Sequence, residues 1–556
     1  MKYQCSRFRL RLLFGVTILF SACLLFVVQP LASKLILPWF GGSAAVWITS
    51  LLFFQCGLLL GYLYAHALVG SFRTERQAAV HAILLILSCA VLPILPNAKW
   101  QPSPGQDPTW RVLGVLATSA GLPYVMLSAT TPLLQSWYAG TKKGALPYRY
   151  FALSNAGSLA ALLAYPTLLE PYLTGHQQAW LWSAAFALFA MLCIATAMFV
   201  RRTPESCQPL SRDVAPRERP NAADLMLWVS LAASASTLLL AVTNLLTQNI
   251  APMPLLWVLP LSIYLLTFIL CFESSRWYKR GIVIPLLLPA LGCLAAARGP
   301  LQEEVIGVAV PLLCAALFVC SMACHGELAR LRPAAGQLTT FYLCLSIGGA
   351  LGGVFIAVFA PHVFPAMYEY PIAFVGCAVL FLFLFWRERR KWLKSRAGLP
   401  LWVAALAGTL ALAAYVSQET WRDVRLSTLL ARNFYGALRV DDFVDNGHKI
   451  RELTHGTITH GIQFLEPKLK RQATTYYGVD SGIGLTWRAL ASTGPLRMAI
   501  VGLGTGTLAS YGRQGDSLRF YEINPLIVDI ARRRFTFLSD CAARVEIVPG
   551  DARLSM

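Results

Sequence analysis

Charge is what this sequence has least of. Only 13% of its 556 residues are Asp, Glu, Lys or Arg, while 56% are hydrophobic and the mean hydropathy is +0.56. Soluble domains carry about a quarter charged residues, so a wholly soluble protein is excluded. Acids are scarcer than bases, 27 Asp and Glu against 47 Lys and Arg, for a net charge of +20. Such an excess suggests nucleic acid, but most Lys and Arg sit in short loops beside apolar runs. That is membrane topology and lipid-headgroup chemistry, and no nucleic-acid partner is expected. Cysteines at ligand spacing are also missing. The 14 cysteines are scattered, mostly inside apolar runs (Cys23, Cys56, Cys89, Cys193, Cys314, Cys320), with no CxxC pair. This argues against a disulfide framework and against a metal site. The basic start, Lys2 to Arg11, precedes a long apolar run with no convincing cleavage site, so it reads as an uncleaved first span.

What is present is membrane. Apolar runs long enough to cross about 30 Å of hydrocarbon fall at 12–30, 44–70, 77–95, 112–138, 150–169 and 177–200, then at 224–248, 253–272, 281–298, 304–324, 337–360 and 370–386, with a thirteenth at 399–417. The expected fold is a polytopic all-α membrane domain of 12–13 spans: a first six-span half (1–200), a basic cytoplasmic linker (201–223), a second six-span half (224–387), and a basic loop with the thirteenth segment (388–417). With the amino terminus in the cytoplasm, the segments 2–11, 73–76, 142–149, 201–219, 276–280, 330–332 and 387–396 hold twenty-five Lys and Arg. The opposite side holds Lys34, Lys99, Arg111 and Arg298. That asymmetry supports both the span count and the orientation.

The halves look related. Leu153-Ser154-Asn-Ala-Gly157-Ser-Leu159 matches Leu345-Ser346-Ile-Gly-Gly349-Ala-Leu351 at an offset of 192, and 125–135 can be laid on 318–328 at an offset of 193. Two six-span halves in one orientation suggest a major-facilitator-type arrangement; the plainer account is that Gly/Ala/Ser-rich helices resemble one another by composition. Ionisable groups at membrane depth are usually functional, which makes His325 and Glu327 a candidate polar site, although the end of a span beside Arg330 offers them solvent. Asn155, Asn244 and Gln248 either line a cavity or bond between helices.

From 418 the composition changes. Residues 418–492 read as a connector (Thr420-Trp-Arg-Asp-Val-Arg425) and a small antiparallel β domain, with strands at 433–440 and 449–454, a hairpin turn at Asp445-Asn-Gly447, and glycine corners through 455–463. Residues 493–556 read as the amino-terminal part of an incomplete Rossmann-like α/β domain. There Arg497–Val501 runs into Gly502-Leu-Gly504-Thr505-Gly506, a second strand ends in Glu522, and a third, 544–548, precedes Asp551-Ala552. The glycines allow a tight turn and close backbone approach to a ligand, Glu522 can accept ribose hydroxyls, and Asp551-Ala552 would lie by an adenine edge.

The succession Phe434-Tyr-Gly, His455-Gly, Gln463, Thr474-Thr-Tyr476-Tyr477, Gly502-Leu-Gly-Thr-Gly506, Tyr521-Glu-Ile-Asn-Pro525 and Gly550-Asp-Ala552 resembles the spermidine synthase (polyamine aminopropyltransferase) family. The whole chain resembles fused proteins with a major-facilitator-like membrane domain before such a domain. The resemblance implies a methyltransferase-type sheet, a bacterial inner-membrane location, and aminopropyl transfer in polyamine biosynthesis from decarboxylated S-adenosylmethionine as co-substrate to a small amine such as putrescine. It implies Gly502, Gly504, Thr505, Gly506, Glu522, Asp551 and Ala552 around the nucleotide and Gln463, Tyr476 and Tyr477 by the acceptor. The family's catalytic aspartate follows the next strand, so the base is expected beyond Met556, with no catalytic residue in this chain. Two departures loosen this. Thr505 stands where the family has an aspartate for the donor's amine, leaving room for intact S-adenosylmethionine and methyl transfer; and 472–478 lacks the family's acids. A transporter with a nucleotide-sensing domain is the third reading. Residues 399–417 put the soluble part outside the cytoplasm if they cross, inside if they do not.

Overall fold

The structure is a computed structural model. It describes residues 2–102, 106–140, 147–201, 220–250, 254–298, 306–333, 337–389 and 398–556. Most of the 201–223 linker and of the basic loop at 388–397 lies outside the described residues.

Among the described residues each apolar run holds a helix. The first half holds α1 (Lys2–Phe40), α2 (Ala44–Ser71), α3 (Thr74–Cys89), α4 (Thr109–Leu116), α5 (Leu122–Gly140), α6 (Pro147–Ala164) and α7 (Gly175–Arg201). A π-turn joins α4 and α5 into one rod. The second half holds α8 (Ala222–Asn249), α9 (Pro254–Glu273), α10 (Arg280–Ala296), α11 (Ile306–Arg330), α12 (Leu338–Val354), α13 (Ala360–Val363) and α14 (Glu369–Arg387), and α15 (Gly398–Leu426) follows. Among the described residues ten helices are long and apolar enough to cross a membrane. The candidates at 77–95, 150–169 and 281–298 are shorter: α3 has 16 residues, and Leu153–Leu169 and Arg280–Ala296 are the shorter apolar helices.

The halves pack alike. In the first, α1 lies against α5, α6 and α7; in the second, α8 lies against α11, α12 and α14. A π-turn at Tyr165–Leu169 follows α6, and another at Phe355–Phe359 follows α12. Across the seam α2 packs on α12 and α9 packs on α6, the reciprocal pairing of two similar halves about an axis along the membrane normal. Small residues permit the closest approach: a Cβ added at Gly348 of α12 would lie 2.5 Å from the Val229 carbonyl oxygen of α8.

With 29 residues, α15 is about 44 Å long and runs the length of the bundle. Trp402 near its start meets Trp386, beside Arg387, with ring centroids 5.4 Å apart. Thr420 and Asp423 near its end hold Arg298, at 3.0 and 2.9 Å. The stretch expected as an amphipathic connector is therefore the last turns of this helix. This helix delivers the chain to the end of the bundle opposite Arg280, Arg330 and Arg387.

The next residues enter a four-stranded antiparallel sheet with no linker: β1 (Ser427–Asn433), β2 (Gly436–Asp445), β3 (His448–His455) and β4 (Ile458–Phe464), in that order. Asn446 (φ 48°) and Gly447 (φ 82°) make the expected hairpin turn. After α16 (Gly482–Leu490) comes a three-stranded parallel sheet, β5 (Arg497–Val501), β6 (Ser517–Glu522) and β7 (Arg544–Pro549), with β6 central. It is accompanied by α17 (Pro525–Arg534) and α18 (Ala552–Ser555). Leu438, Val440 and Leu453 of the antiparallel sheet share one core with Leu518, Phe520 and Ile530 of the parallel unit.

Candidate functional site

Three places concentrate polar chemistry: the glycine turn after β5, the seam between the helical halves, and the contact between the soluble sheets and the bundle.

The glycine turn is built as its residues require. Gly502, Gly504 and Gly506 have φ of 88°, 56° and 84°, a region that L side chains avoid. Glu522, at the end of β6, is buried, and its two oxygens accept from Leu503 N–H (2.9 Å) and Asn524 N–H (2.8 Å). Burial raises its carboxyl above the ordinary range, against the lowering effect of the Asn524, Leu503 and Ile523 N–H groups. Asp551, after β7, caps α18 by accepting from Arg553 N–H (2.9 Å), and the Arg553 guanidinium lies 2.8 Å from it. There burial raises the carboxyl but Arg553 outweighs it, and the group lies below its usual range.

The other expected contacts separate. Thr505 turns inward against β4: its hydroxyl meets that of Thr507 at 2.8 Å, and a Cβ on Gly461 would lie 2.2 Å from it. Gln463 is buried, and its amide is committed within the protein. Nε2 donates to Lys470 O and Thr536 Oγ1 (both 2.9 Å), and Oε1 accepts from Thr536 N–H (3.1 Å). Tyr476 is exposed, and Tyr477 beside it is half-buried. Ala552 is the first residue of α18.

The soluble sheets rest on the bundle through consecutive residues. Arg432, at the end of β1, donates to both carboxylate oxygens of Glu369 (2.7 and 2.8 Å) and to the Ala366 carbonyl (3.0 Å). The pair is 3% and 0% exposed. Asn433 donates to Asn524 Oδ1 (2.7 Å), two residues past Glu522. Phe434 joins the first half's apolar cluster, which includes Phe40 and Val46. Thr457, between β3 and β4, donates to the Asn249 carbonyl at the end of α8 (3.2 Å). The carboxyl end of the parallel sheet therefore faces the bundle.

Two cavities follow the seam. A central one of about 190 Å³ is lined from both halves, by Ser21, Gln55 and Asn155 among first-half residues and by Tyr264, Phe268 and Ser346 from the second. Among the described residues no Asp, Glu, Lys, Arg or His lines it. Gln55 Nε2 donates to Ser236 Oγ (2.9 Å), while Gln55 Oε1 and Asn155 Nδ2 are buried without a partner. A second cavity of about 270 Å³ lies at the end covered by β1 and β2, and Asn244 and Gln248 line it.

His325 and Glu327 do not form one site. His325 is fully buried, its Nδ1 2.9 Å from Thr267 Oγ1, packed against Tyr264 and Phe268. Glu327 is also buried. It takes Tyr278 Oη (2.7 Å), Arg330 (2.6 Å) and Arg280 (3.0 Å) at the basic end. Among the described residues no His, Cys, Asp and Glu cluster suits a metal.

No protein-family model matches the chain, and no curated protein matches it. Solved structures do. The inward-open xylose transporter XylE from E. coli is similar at 10% identity and a TM-score of 0.44, over 67% of this chain and 95% of its own. The POT family transporter PepTSo is similar at 13% identity and a TM-score of 0.42, over 74% and 99%. A D-xylose-proton symporter is similar at 16% identity and a TM-score of 0.41, over 66% and 96%. At these scores the arrangement of this chain's helices rests on its own packing.

Arg432→Met is expected to lower stability by about 3–5 kcal/mol, because Glu369 is left buried and unpaired. The double variant Arg432→Met/Glu369→Leu should recover most of that loss. Thermal unfolding of the full chain in detergent reads both; equal melting of Arg432→Met and the parent would contradict the pairing's importance.

Proposed function

We propose that the membrane domain binds a small, uncharged polar solute between its two halves and carries it across the bilayer. The carrying observation is the central cavity. It lies on the seam between two similarly packed halves, where a shift of one against the other exposes it to either side. Its polar groups are amides, hydroxyls and phenols, with Gln55 and Asn155 among the lining side chains. A cation such as putrescine would find no carboxylate among the lining residues. The positive-inside rule orients the bundle with Arg280, Arg330 and Arg387 in the cytoplasm, which puts the soluble domain on the opposite side.

Proteoliposomes holding the full chain should take up a labelled neutral solute from a panel of monosaccharides, polyols and neutral amino acids. Gln55→Leu or Asn155→Leu should reduce that uptake at least about tenfold, the equivalent of one lost buried hydrogen bond. Uptake of the whole panel equal to that of empty liposomes, or flux of putrescine alone, overturns the reading.

A second reading has its own support. Three parallel strands with β6 central, a glycine turn after β5, and acids after β6 and β7 form the pattern of a Rossmann-like nucleotide half. On this reading the soluble domain holds S-adenosylmethionine or its decarboxylated form, with the ribose at Glu522 and the adenine by Asp551-Ala552. Aminopropyl transfer to an amine is what the sequence resemblance adds; methyl transfer fits Thr505 as well. Two features weigh against an adenosyl donor: Glu522 already accepts from two backbone N–H groups, and the proposed orientation removes the site from the cytoplasmic nucleotide pool.

Calorimetry of the full chain in detergent with methylthioadenosine should give saturable heat that Glu522→Gln abolishes. Ribose hydroxyls need the ionised acceptor, and burial raises the Glu522 carboxyl. Affinity should therefore be full at neutral pH and fall as pH drops through that raised range. Absence of heat at every pH removes the nucleotide reading.

A further inference from the structure

We propose that the chamber under β1 and β2 is a second solute site, selective for small uncharged polar molecules and roofed by the soluble domain. This rests on the solute path above and extends it to the outer mouth. The chamber's volume, about 270 Å³, matches that of about nine waters. It continues the line of the central cavity along three helices. On α2, Ile48 and Thr49 face the chamber, and Leu51, Phe54 and Gln55 face the cavity. On α8, Asn244 and Gln248 face the chamber, and Leu239 and Leu240 the cavity. On the third, Gly349 of α12 faces the cavity, and Ile356 in the following π-turn faces the chamber.

The lining explains the selectivity. Asn244 Oδ1 accepts from Gln248 Nε2 (3.2 Å), and Gln248 Oε1 is left buried with no partner in the protein. Both amides stand in the chamber wall. The charged side chains in the wall are already engaged. Arg432 is held by Glu369. The ring nitrogens of His362 face the Val358 carbonyl (2.7 Å) and Asp107 Oδ2 (3.3 Å), so Asp107 also has a partner within the protein. A charged solute would have to displace one of these contacts to find a counter-charge, or enter desolvated and unpaired.

The roof is one short run. Arg432, Asn433, Phe434 and Gly436 all line the chamber. In the same run Arg432 grips the second half at Glu369, Phe434 packs into the first half's core, and Asn433 bonds Asn524 beside the glycine turn. A strand tied to both halves at their outer ends covers that side of the chamber, and solute leaving the cavity passes beneath it.

Thiol labelling tests this on the full chain in proteoliposomes. The substitution Thr49→Cys places a thiol on the chamber wall. Three methanethiosulfonates serve as probes, the hydroxyethyl (neutral), sulfonatoethyl (anionic) and trimethylammonioethyl (cationic) reagents. The peptide carrying the introduced thiol is quantified by mass spectrometry, with the parent chain as control. The neutral reagent should modify that peptide at least tenfold faster than either charged one. Phe434→Ala, or the Arg432→Met/Glu369→Leu pair, should bring the charged reagents within about threefold of the neutral one. Equal rates for all three reagents, or no reaction with any, overturn the site; unchanged charge selectivity in both roof variants overturns the roof. Labelling as expected in a protein that carries no solute fails the transport reading alone, and failed labelling with intact flux fails the chamber alone.

Discussion

A buried arginine and a buried glutamate decide how this protein is assembled. Neither could be left alone at 3% and 0% exposure, since an unpaired charge at such a place is worth several kcal/mol of instability. Arg432 comes from the first strand after the last membrane helix, and Glu369 from the start of α14. Their bidentate contact satisfies both charges only if the soluble domain sits on that end of the bundle in one orientation. The contacts of Asn433, Phe434 and Thr457 follow from that seating.

The seating gives the cavities their character. Charges cluster at the two ends of the bundle, Glu327 with Arg280 and Arg330 at one, Glu369 with Arg432 at the other, and the seam between them keeps amides, hydroxyls and aromatic rings. A low-dielectric interior tolerates unpaired amides far better than unpaired ions, so spare polar capacity in the seam is uncharged. The glycine turn lies on the soluble side of the same contact, one hydrogen bond from the chamber roof through Asn524 and Asn433.

Much of this was legible in the sequence. Among the described residues each of the thirteen apolar runs holds a helix, ten of them long and apolar enough to cross a membrane, and the halves match in their packing as well as in residues 153–159 and 345–351. The Asp445-Asn-Gly447 turn and the glycine turn followed from residues whose backbone freedom leaves few alternatives. Other features carried no local signal. Ser427–Asn433 lacks strand alternation, because β1 is half-buried along most of its length between sheet and bundle. The Thr420–Arg425 stretch reads as a short amphipathic connector, yet it continues the helix and Asp423 reaches Arg298, 125 residues away in sequence. Gln463 matched a substrate position, but its amide holds Lys470 and Thr536 in place.

By itself the sequence determined the elements: which segments enter a membrane, which end of each carries positive charge, where the chain must turn. These depend on transfer of side chains to hydrocarbon and on glycine's φ range, both properties of a residue and its neighbours. Only the tertiary structure decided which face of the bundle the soluble domain covers, that Asn155 lines the central cavity while Asn244 and Gln248 line the outer chamber, and that His325 and Glu327 go separate ways. Those outcomes depend on which distant group supplies a buried polar atom with its partner, and sequence spacing does not encode that.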